Sequence, residues 1–143
     1  MESTYYFKGR KKRDGKWIYG NLSVGVYGRH YISYPHEDNI VQLEVEENTV
    51  CQSTGIEDEY GRWIFFKDLV ECTKPYENRI TEDNKPMIGV VVYEYGQYYL
   101  LFKDGTATEF DKTDTYKVIC NVEEEGMEEY KELFESWKKL ISN

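Results

Sequence analysis

Glycine-centred turns recur along this chain, and they constrain its fold more than any other feature of the sequence. They lie between apolar or aromatic runs, at Asp14-Gly15, Tyr27-Gly28, Tyr60-Gly61, Tyr95-Gly96 and Asp104-Gly105. Glycine reaches the positive φ angles that tight hairpins require, so such turns between strand-forming runs are typical of β-hairpins. The sequence therefore predicts short antiparallel strands joined by hairpins.

The residues between the turns favour strands. Aromatic residues make up 16% of the 143 residues, and alanine occurs once, at Ala107. Val41, Leu43 and Val45 alternate with polar residues, which indicates a strand with one wet face, whereas the apolar run 87–92 predicts a strand that is covered on both sides. Strands are predicted at residues 4–8, 16–20, 29–33, 40–45, 62–64, 67–73, 87–95, 98–103, 107–110 and 115–120.

This pattern predicts a mainly β protein made of small antiparallel β-barrel modules with a C-terminal α-helix. We expect an N-terminal β module with a basic hairpin at residues 1–65, an SH3-like barrel at 66–122 and the helix within 123–143. The polar stretch between Cys72 and Lys85 predicts a long exposed loop.

A phrase of polar, aromatic and apolar residues follows four of the turns. Residues 15–19 and 61–65 match best, and residues 29–32 and 97–100 carry looser versions. Because the spacings are irregular, we interpret this pattern as the same hairpin-forming residues used several times, with duplication of a segment as the alternative.

The spacing of apolar residues changes near the end of the chain and predicts a helix over residues 127–141. Acidic residues lie before it and in its first turn, and Lys138 and Lys139 lie in its last turn, where the helix dipole favours each charge. The apolar face needs a partner surface, either the β module of the same chain or another subunit. The candidate interface residues are Tyr130, Leu133, Phe134, Trp137, Leu140 and Ile141.

The net charge of −9 is unevenly distributed. Residues 1–35 carry seven basic and two acidic side chains, which leaves a net charge of −14 for the rest. Basic residues beside aromatic rings can contact the phosphates and stack on the bases of single-stranded nucleic acid. A solvated hairpin, or a surface for an acidic partner or for self-association, is the alternative. The candidate residues are Lys8, Arg10, Lys11, Lys12, Arg13, Lys16 and Trp17.

The sequence gives little support to catalytic chemistry. Its only histidines are His30 and His36, and Gly25-Val26-Tyr27-Gly28 is interpreted as a hairpin because it lacks the strand-to-helix setting of a nucleotide site. The segment His36-Glu37-Asp38 would need a further ligand from elsewhere to hold a metal ion. We therefore predict no catalytic residue, no metal site and no cofactor, and we expect that the protein is not an enzyme.

The cysteines and the N-terminal segment predict an intracellular protein. Cys51, Cys72 and Cys120 lie far apart, which favours reduced thiols. Residues 1–6 lack the order of a signal peptide, and no apolar run approaches the roughly 18 residues of a membrane span. We expect a cytoplasmic protein that does not contact a membrane.

Five segments of the chain occur in a distinctive order and spacing, namely residues 7–10, 17–20, 50–58, 61–70 and 89–91. On these segments, residues 6–123 resemble the YopX family of bacteriophage and prophage proteins, and the most specific part is Thr54-Gly55-Ile56 followed by Asp58. The resemblance implies a mostly β protein of phage genomes without an established biochemical activity. It implies no catalytic residues.

Together these observations predict a non-enzymatic interaction protein of a phage or prophage, located in the cytoplasm of the bacterial host cell. It would assemble with itself as a homo-oligomer or bind a host or phage protein. The alternative is a nucleic-acid-binding module that uses the basic and aromatic hairpin. Nucleic acid is the less favoured partner because the chain as a whole is acidic.

Overall fold

A computed structural model of the chain describes residues 6–73, 87–111 and 114–141, and within these ranges the protein is mainly β with one C-terminal helix. The strands are β1 (Phe7–Arg10), β2 (Trp17–Val24), β3 (His30–His36), β4 (Asn39–Val45), β5 (Cys51–Glu57), β6 (Trp63–Phe65), β7 (Asp68–Thr73), β8 (Met87–Glu94), β9 (Gln97–Phe102), β10 (Ala107–Glu109) and β11 (Thr115–Asn121). A 3₁₀ helix, Glu47–Thr49, precedes β5, and the helix α1 is Glu128–Ile141. The predicted mainly β class and the terminal helix are confirmed.

The chain divides into two compact units, Met1–Gly55 and Ile56–Asn143. The predicted division into residues 1–65, 66–122 and 123–143 remains a prediction, because compactness within one chain does not test which segments fold independently.

The first unit is built on antiparallel pairs in the order β4-β3-β2-β1-β5, and the order continues from β5 to β6. β2 pairs with β1 through its first half and with β3 through its second half. Gly20 lies where the pairing changes, and a Cβ atom at this position would collide with the carbonyl oxygen of Ser33. Glycine therefore allows the close approach of β2 and β3 that encloses a core of Ile18, Ile32 and Val45.

The second unit has the antiparallel order β10-β9-β8-β7-β11. Two buried clusters involve β8: Val91 belongs to one with Leu100, and Val90 and Val92 belong to another with Phe134 of α1. The residues Val90 to Val92 are all fully buried, as the continuous apolar run predicted.

The two units share one strand order. In each, four consecutive strands form a meander and the fifth strand pairs antiparallel with the first, β5 with β1 and β11 with β7. In each sheet order the outermost strands are edges, β4 and β6 in one and β10 and β11 in the other.

One strand was not predicted from the sequence. β5 has the polar sequence CQSTGIE, and Gly55 within it has a φ of +81°. Its pattern is not the alternation that marks a half-buried strand, so its place beside β1 comes from backbone pairing. The predicted strand at 4–8 and the predicted loop between Cys72 and Lys85 lie partly outside the described residues, and β7 extends through Cys72 to Thr73. Among the described helices, none is long and apolar enough to cross a membrane.

Candidate functional site

The basic hairpin predicted from the sequence is formed by β1 and β2. Its register places Lys8 opposite Tyr19 and Arg10 opposite Trp17, so the four side chains share one face. The Nζ atom of Lys8 lies 4.7 Å from the centroid of the Trp17 ring, and the guanidinium carbon of Arg10 lies 5.9 Å from it. Lys8 is only 5% exposed. These cations therefore stabilise the hairpin through Trp17.

The cations of the turn are drawn into ion pairs within the same unit. Lys11 Nζ lies 3.3 Å from a carboxylate oxygen of Asp14, and Lys12 Nζ lies 2.9 Å from one of Glu44. A hydrogen bond to Glu44, together with the attraction of its charge, raises the pKa of Lys12. Among the described residues, Arg13 is exposed and has no ion-pair partner.

The charge of the first unit as a whole is balanced. Residues 1–55 hold seven basic and seven acidic side chains, whereas residues 56–143 hold eleven basic and twenty acidic ones. The acidic residues that balance the basic hairpin come from 36–55, just beyond the stretch in which the sequence shows a positive excess. A polyanion approaching this unit would therefore meet little net attraction.

The hairpin also lines an open groove of about 320 Å³. Its lining residues are Lys11, Trp17, Ile18, Tyr19 and Tyr34. Aromatic rings beside a lysine can accept stacked or apolar groups. Of the predicted set, Lys11 and Trp17 thus meet in one groove.

The predicted interface helix packs against its own unit. Phe134 is buried, and Tyr130, Leu133 and Trp137 are half-buried against the same cluster. The ring of Phe134 meets that of Phe66 edge to face with 5.5 Å between centroids. Leu140 and Ile141, at the helix end, are exposed. Four of the six predicted residues therefore contribute to the core of the second unit.

An ion-pair network also holds α1 to the sheet. Glu123 accepts hydrogen bonds from Lys67 Nζ at 2.8 Å and from Lys131 Nζ of the helix at 3.1 Å. Burial disfavours the charged carboxylate, but the two lysines outweigh it and lower the pKa of Glu123.

Two aspartates in the segments that carry the family resemblance are buried and fully engaged. The carboxylate of Asp58 accepts hydrogen bonds from the backbone N–H groups of Tyr60, Arg62 and Val118 and from Arg62 Nε, all between 2.9 and 3.0 Å. Burial disfavours the charged form, yet these donors lower the pKa of Asp58. Asp68 accepts from the Phe65 N–H at 2.8 Å and from Asn121 Nδ2 at 3.0 Å. Both carboxylates are thus used to fix turns.

One histidine of the first unit is half-buried and the other is exposed. The Nδ1 atom of His30 lies 2.9 Å from the carbonyl oxygen of Gly28, and His36 is exposed at the end of β3. In the part of the chain that the structure describes, no group of three or more His, Cys, Asp or Glu residues is arranged to hold a metal ion.

The sequence reasoning missed the most exposed apolar side chains of the first unit. At the tip of the β2–β3 hairpin, Val26 is 93% exposed and Tyr27 is 90% exposed, while Val24 before them is also exposed. The signal was the apolar pair between Gly25 and Gly28, which we interpreted only as a turn. A turn needs no large apolar residue at its tip, so the pair is the feature that could have indicated a contact surface.

Comparison with known families gives a match. The family model described as YopX protein matches residues 6–127, which include β1 to β11 and end before α1. No curated protein matches the chain. The resemblance seen in the sequence is thereby confirmed.

Proposed function

We propose that this chain, which belongs to the YopX family, is a non-enzymatic interaction protein that binds another protein through the tip of the β2–β3 hairpin. The observation that carries the proposal is the exposure of Val26 and Tyr27, at 93% and 90%. Tyrosine and neighbouring apolar groups at a protruding tip are the residues that insert into pockets of partner proteins.

The geometry of the hairpin supports this role. Gly28 has a φ of +79°, and its N–H donates to the carbonyl oxygen of Gly25 at 3.0 Å. The N–H of Gly25 in turn donates to the backbone carbonyl oxygen of Arg29 at 2.8 Å. These bonds hold the backbone of the tip in one conformation. A tip that is ordered before binding loses less conformational entropy when a partner covers it.

The environment of two buried carboxylates supports a role without catalysis. Asp58 and Asp68 accept hydrogen bonds from the turns that they fix. A general base needs a free acceptor beside a substrate position, and these two carboxylates are used by the fold instead.

We also propose that the two units are barrel-like. In the first unit the N–H of Lys12 donates to the Glu44 carbonyl at 3.1 Å, and Glu46 N–H donates to the Arg10 carbonyl at 2.9 Å. These bonds link the end of β4 to the residues that follow β1, which supports a partly closed barrel. The SH3-like barrel predicted at 66–122 remains a prediction, supported by the pairing of β11 with β7.

Nucleic-acid binding is the second candidate, and the groove that contains Lys11, Trp17 and Tyr19 favours it. Aromatic faces and a cation are the elements that bind single strands. The ion pairs of Lys11 and Lys12 with carboxylates weigh against it, since phosphates would have to displace those partners.

We place this function in a phage or prophage setting, with the protein in the cytoplasm of the bacterial host cell and a host or phage protein as the partner. The test uses the full chain, carrying an affinity tag, captured from phage-infected or induced bacteria. The variant Val26→Ser/Tyr27→Ser removes the apolar tip. The control Tyr95→Ser changes the tip of the β8–β9 hairpin, where Tyr95 is 92% exposed.

The proposal expects one protein to be captured in stoichiometric amount by the wild type and by Tyr95→Ser, and to be lost with Val26→Ser/Tyr27→Ser. Binding is then reproduced with the two purified proteins. Equal capture by all three proteins, or no stoichiometric partner for any of them, would refute the proposal.

A further inference from the structure

The outer edge of β4 is open over part of its length. One side of β4 pairs with β3 along its whole length. On the other side, Lys11 bridges Val45, and the bonds between Lys12 and Glu44 and between Glu46 and Arg10 extend that bridge. Within the described residues, no backbone group pairs with this side of Asn39 to Leu43.

The bonds at the occupied end show which peptide groups face outward. The carbonyl of Glu44 and the N–H of Glu46 both point away from β3. Because this direction alternates along a strand, the N–H and C=O groups of Ile40 and Gln42 also point outward. They form two adjacent donor and acceptor pairs that another strand can use.

This edge lacks the features that usually prevent strand addition. The stretch Asn39–Leu43 contains no charged residue, glycine or proline. By contrast, β10 has only three residues, and β11 has an exposed Lys117 and a register shift between Val118 and Cys120. Short strands, lysines and bulges are the common means of protecting an edge.

We infer that a second copy of this chain adds to β4 in an antiparallel pairing centred on Val41. In this register Ile40 lies opposite Gln42 of the second copy, and the reverse holds by symmetry, so the outward groups form four hydrogen bonds. A pairing shifted toward Glu44 would meet Lys12, which already occupies that part of the edge. The free length of the edge therefore selects the register.

Charge complementarity at the two ends selects the second copy as the occupant. In the centred register Asp38 of the second copy lies opposite Glu44, whose carboxylate is already paired with Lys12 at 2.9 Å. The neighbouring Arg13 is exposed and has no ion-pair partner among the described residues, so it is the cation that the acidic turn of the second copy can meet. The same contact occurs twice in the symmetric dimer.

The surroundings of the edge are consistent with self-association. Residues 1–55 have as many basic as acidic side chains, so two first units approach without net repulsion. Ile40 is 76% exposed and lies opposite Pro35 in β3. A second copy of β4 would cover Ile40, and this surface is separate from the hairpin tip of the proposed function.

The first test is sedimentation velocity of the full chain over a series of concentrations. The wild type should form a concentration-dependent dimer. Gln42→Pro removes an outward N–H that the fold does not use, and proline is tolerated at such an edge position. This variant should remain monomeric, whereas the control Gln42→Ala keeps the N–H and should dimerise as the wild type does.

A second measurement does not depend on how well Gln42→Pro folds. In the centred register the two copies of residue 41 form a non-hydrogen-bonded pair with Cα atoms about 4.5 Å apart, a separation that a disulfide can span. Val41→Cys should therefore form a covalent dimer under mild oxidation. Ile40→Cys, two residues out of register with its symmetry copy, should not exceed the background from the native cysteines.

The charge contact is tested by reversal. Arg13→Glu and Asp38→Arg should each weaken the dimer several-fold, and the double variant should restore it. A wild type that is monomeric up to its solubility limit would overturn the inference, including the case in which another protein binds the β4 edge instead. A dimer that neither Gln42→Pro nor Val41→Cys affects would also overturn it.

Discussion

The first and second units arrange five strands in the same order, yet they cover their sheets in different ways. The second unit places α1 over one face, and Phe134 joins the cluster of Leu69, Val90 and Val92. The first unit encloses a smaller core of Ile18 and Ile32 with Val45. Strand order alone therefore does not determine how a core is covered: a helix covers the core of the second unit, whereas strands enclose that of the first.

Charge follows the same division. All of the net charge of −9 belongs to residues 56–143, and residues 1–55 are balanced. A charged unit resists association, whereas a balanced one does not. Both of the surfaces that we propose for binding, the hairpin tip and the β4 edge, therefore lie in the unit without net charge.

The largest expected effect concerns the helix that distinguishes the units. Phe134→Ala removes a buried ring and its contact with Phe66, so it should lower the free energy of unfolding of the second unit by about 3 kcal/mol. Leu140→Ala, at a position 76% exposed on the same helix, should change it by less than about 0.5 kcal/mol. Denaturant unfolding measures both values. Equal losses would show that α1 is not part of the second unit's core.

The next effect concerns the close approach of strands in the first unit. Gly20→Ala places a methyl group against the Ser33 carbonyl, so it should destabilise this unit by about 2 kcal/mol or more. Gly28→Ala is the control, because Gly28 has a φ of +79° but open space around it, and its loss should be about 1 kcal/mol. Native-state hydrogen exchange locates each loss. If Gly20→Ala proves the milder change, β2 and β3 do not approach as closely at this residue as the structure indicates.

A smaller effect concerns the buried carboxylate of the second unit. The pKa of Asp58 is lowered in the folded protein, so its contribution to stability is complete above the ordinary value of 3.8 and is lost as the pH falls through the lower, folded value. Asp58→Asn should cost about 2 kcal/mol at neutral pH, because its amide group presents donors to the N–H groups of Arg62 and Val118.

The measurement is unfolding as a function of pH for the wild type and for Asp58→Asn. The difference between them should shrink as the pH falls below 3.8 toward the folded value. The exposed Asp104 is the control, since its pKa is lowered by hydrogen bonds from the side chain and backbone of Thr106 and from its own backbone, and Asp104→Asn should show a smaller difference. A difference for Asp58→Asn that stays constant with pH would contradict the assignment.

Local patterns of the sequence predicted most of the strands and the helix. The alternation of Val41, Leu43 and Val45 located β4, and the 3.6-residue period located α1 to within one residue of its start. β5 escaped because its polar residues are placed by pairing with β1, which no local pattern records. The proposed contact along the β4 edge was not predicted for the same reason: whether this edge is free depends on where Lys12 returns to the sheet.

The repeated phrases show the limit of spacing as a guide. Residues 29–32 and 97–100 match only loosely, yet they follow the turns of the equivalent hairpins β2–β3 and β8–β9, and Ile32 and Leu100 are both fully buried. The better match is that of 15–19 with 61–65, yet the first segment runs into the start of the eight-residue β2 and the second ends with the three-residue β6. Strand order, and not the quality of the sequence match, therefore identifies the equivalent positions of the two units, because the loops between the strands differ in length.

The smallest expected effect tests whether charge balance keeps the first unit from binding polyanions. Glu44→Gln removes the carboxylate that pairs with Lys12 at 2.9 Å, so one lysine becomes available to phosphates. The affinity for a single-stranded oligothymidylate at low salt should rise by no more than about threefold, and the gain should vanish as salt is added. Glu46→Gln is the matched control, because Glu46 acts on Lys12 only through weaker charge attraction, and its effect should be smaller.

Fluorescence anisotropy measures the affinity of both variants and of the wild type. Tight binding of the oligonucleotide by the wild type, with a steep salt dependence, would show that the ion pairs do not neutralise the basic hairpin. That result would favour the nucleic-acid alternative for the first unit.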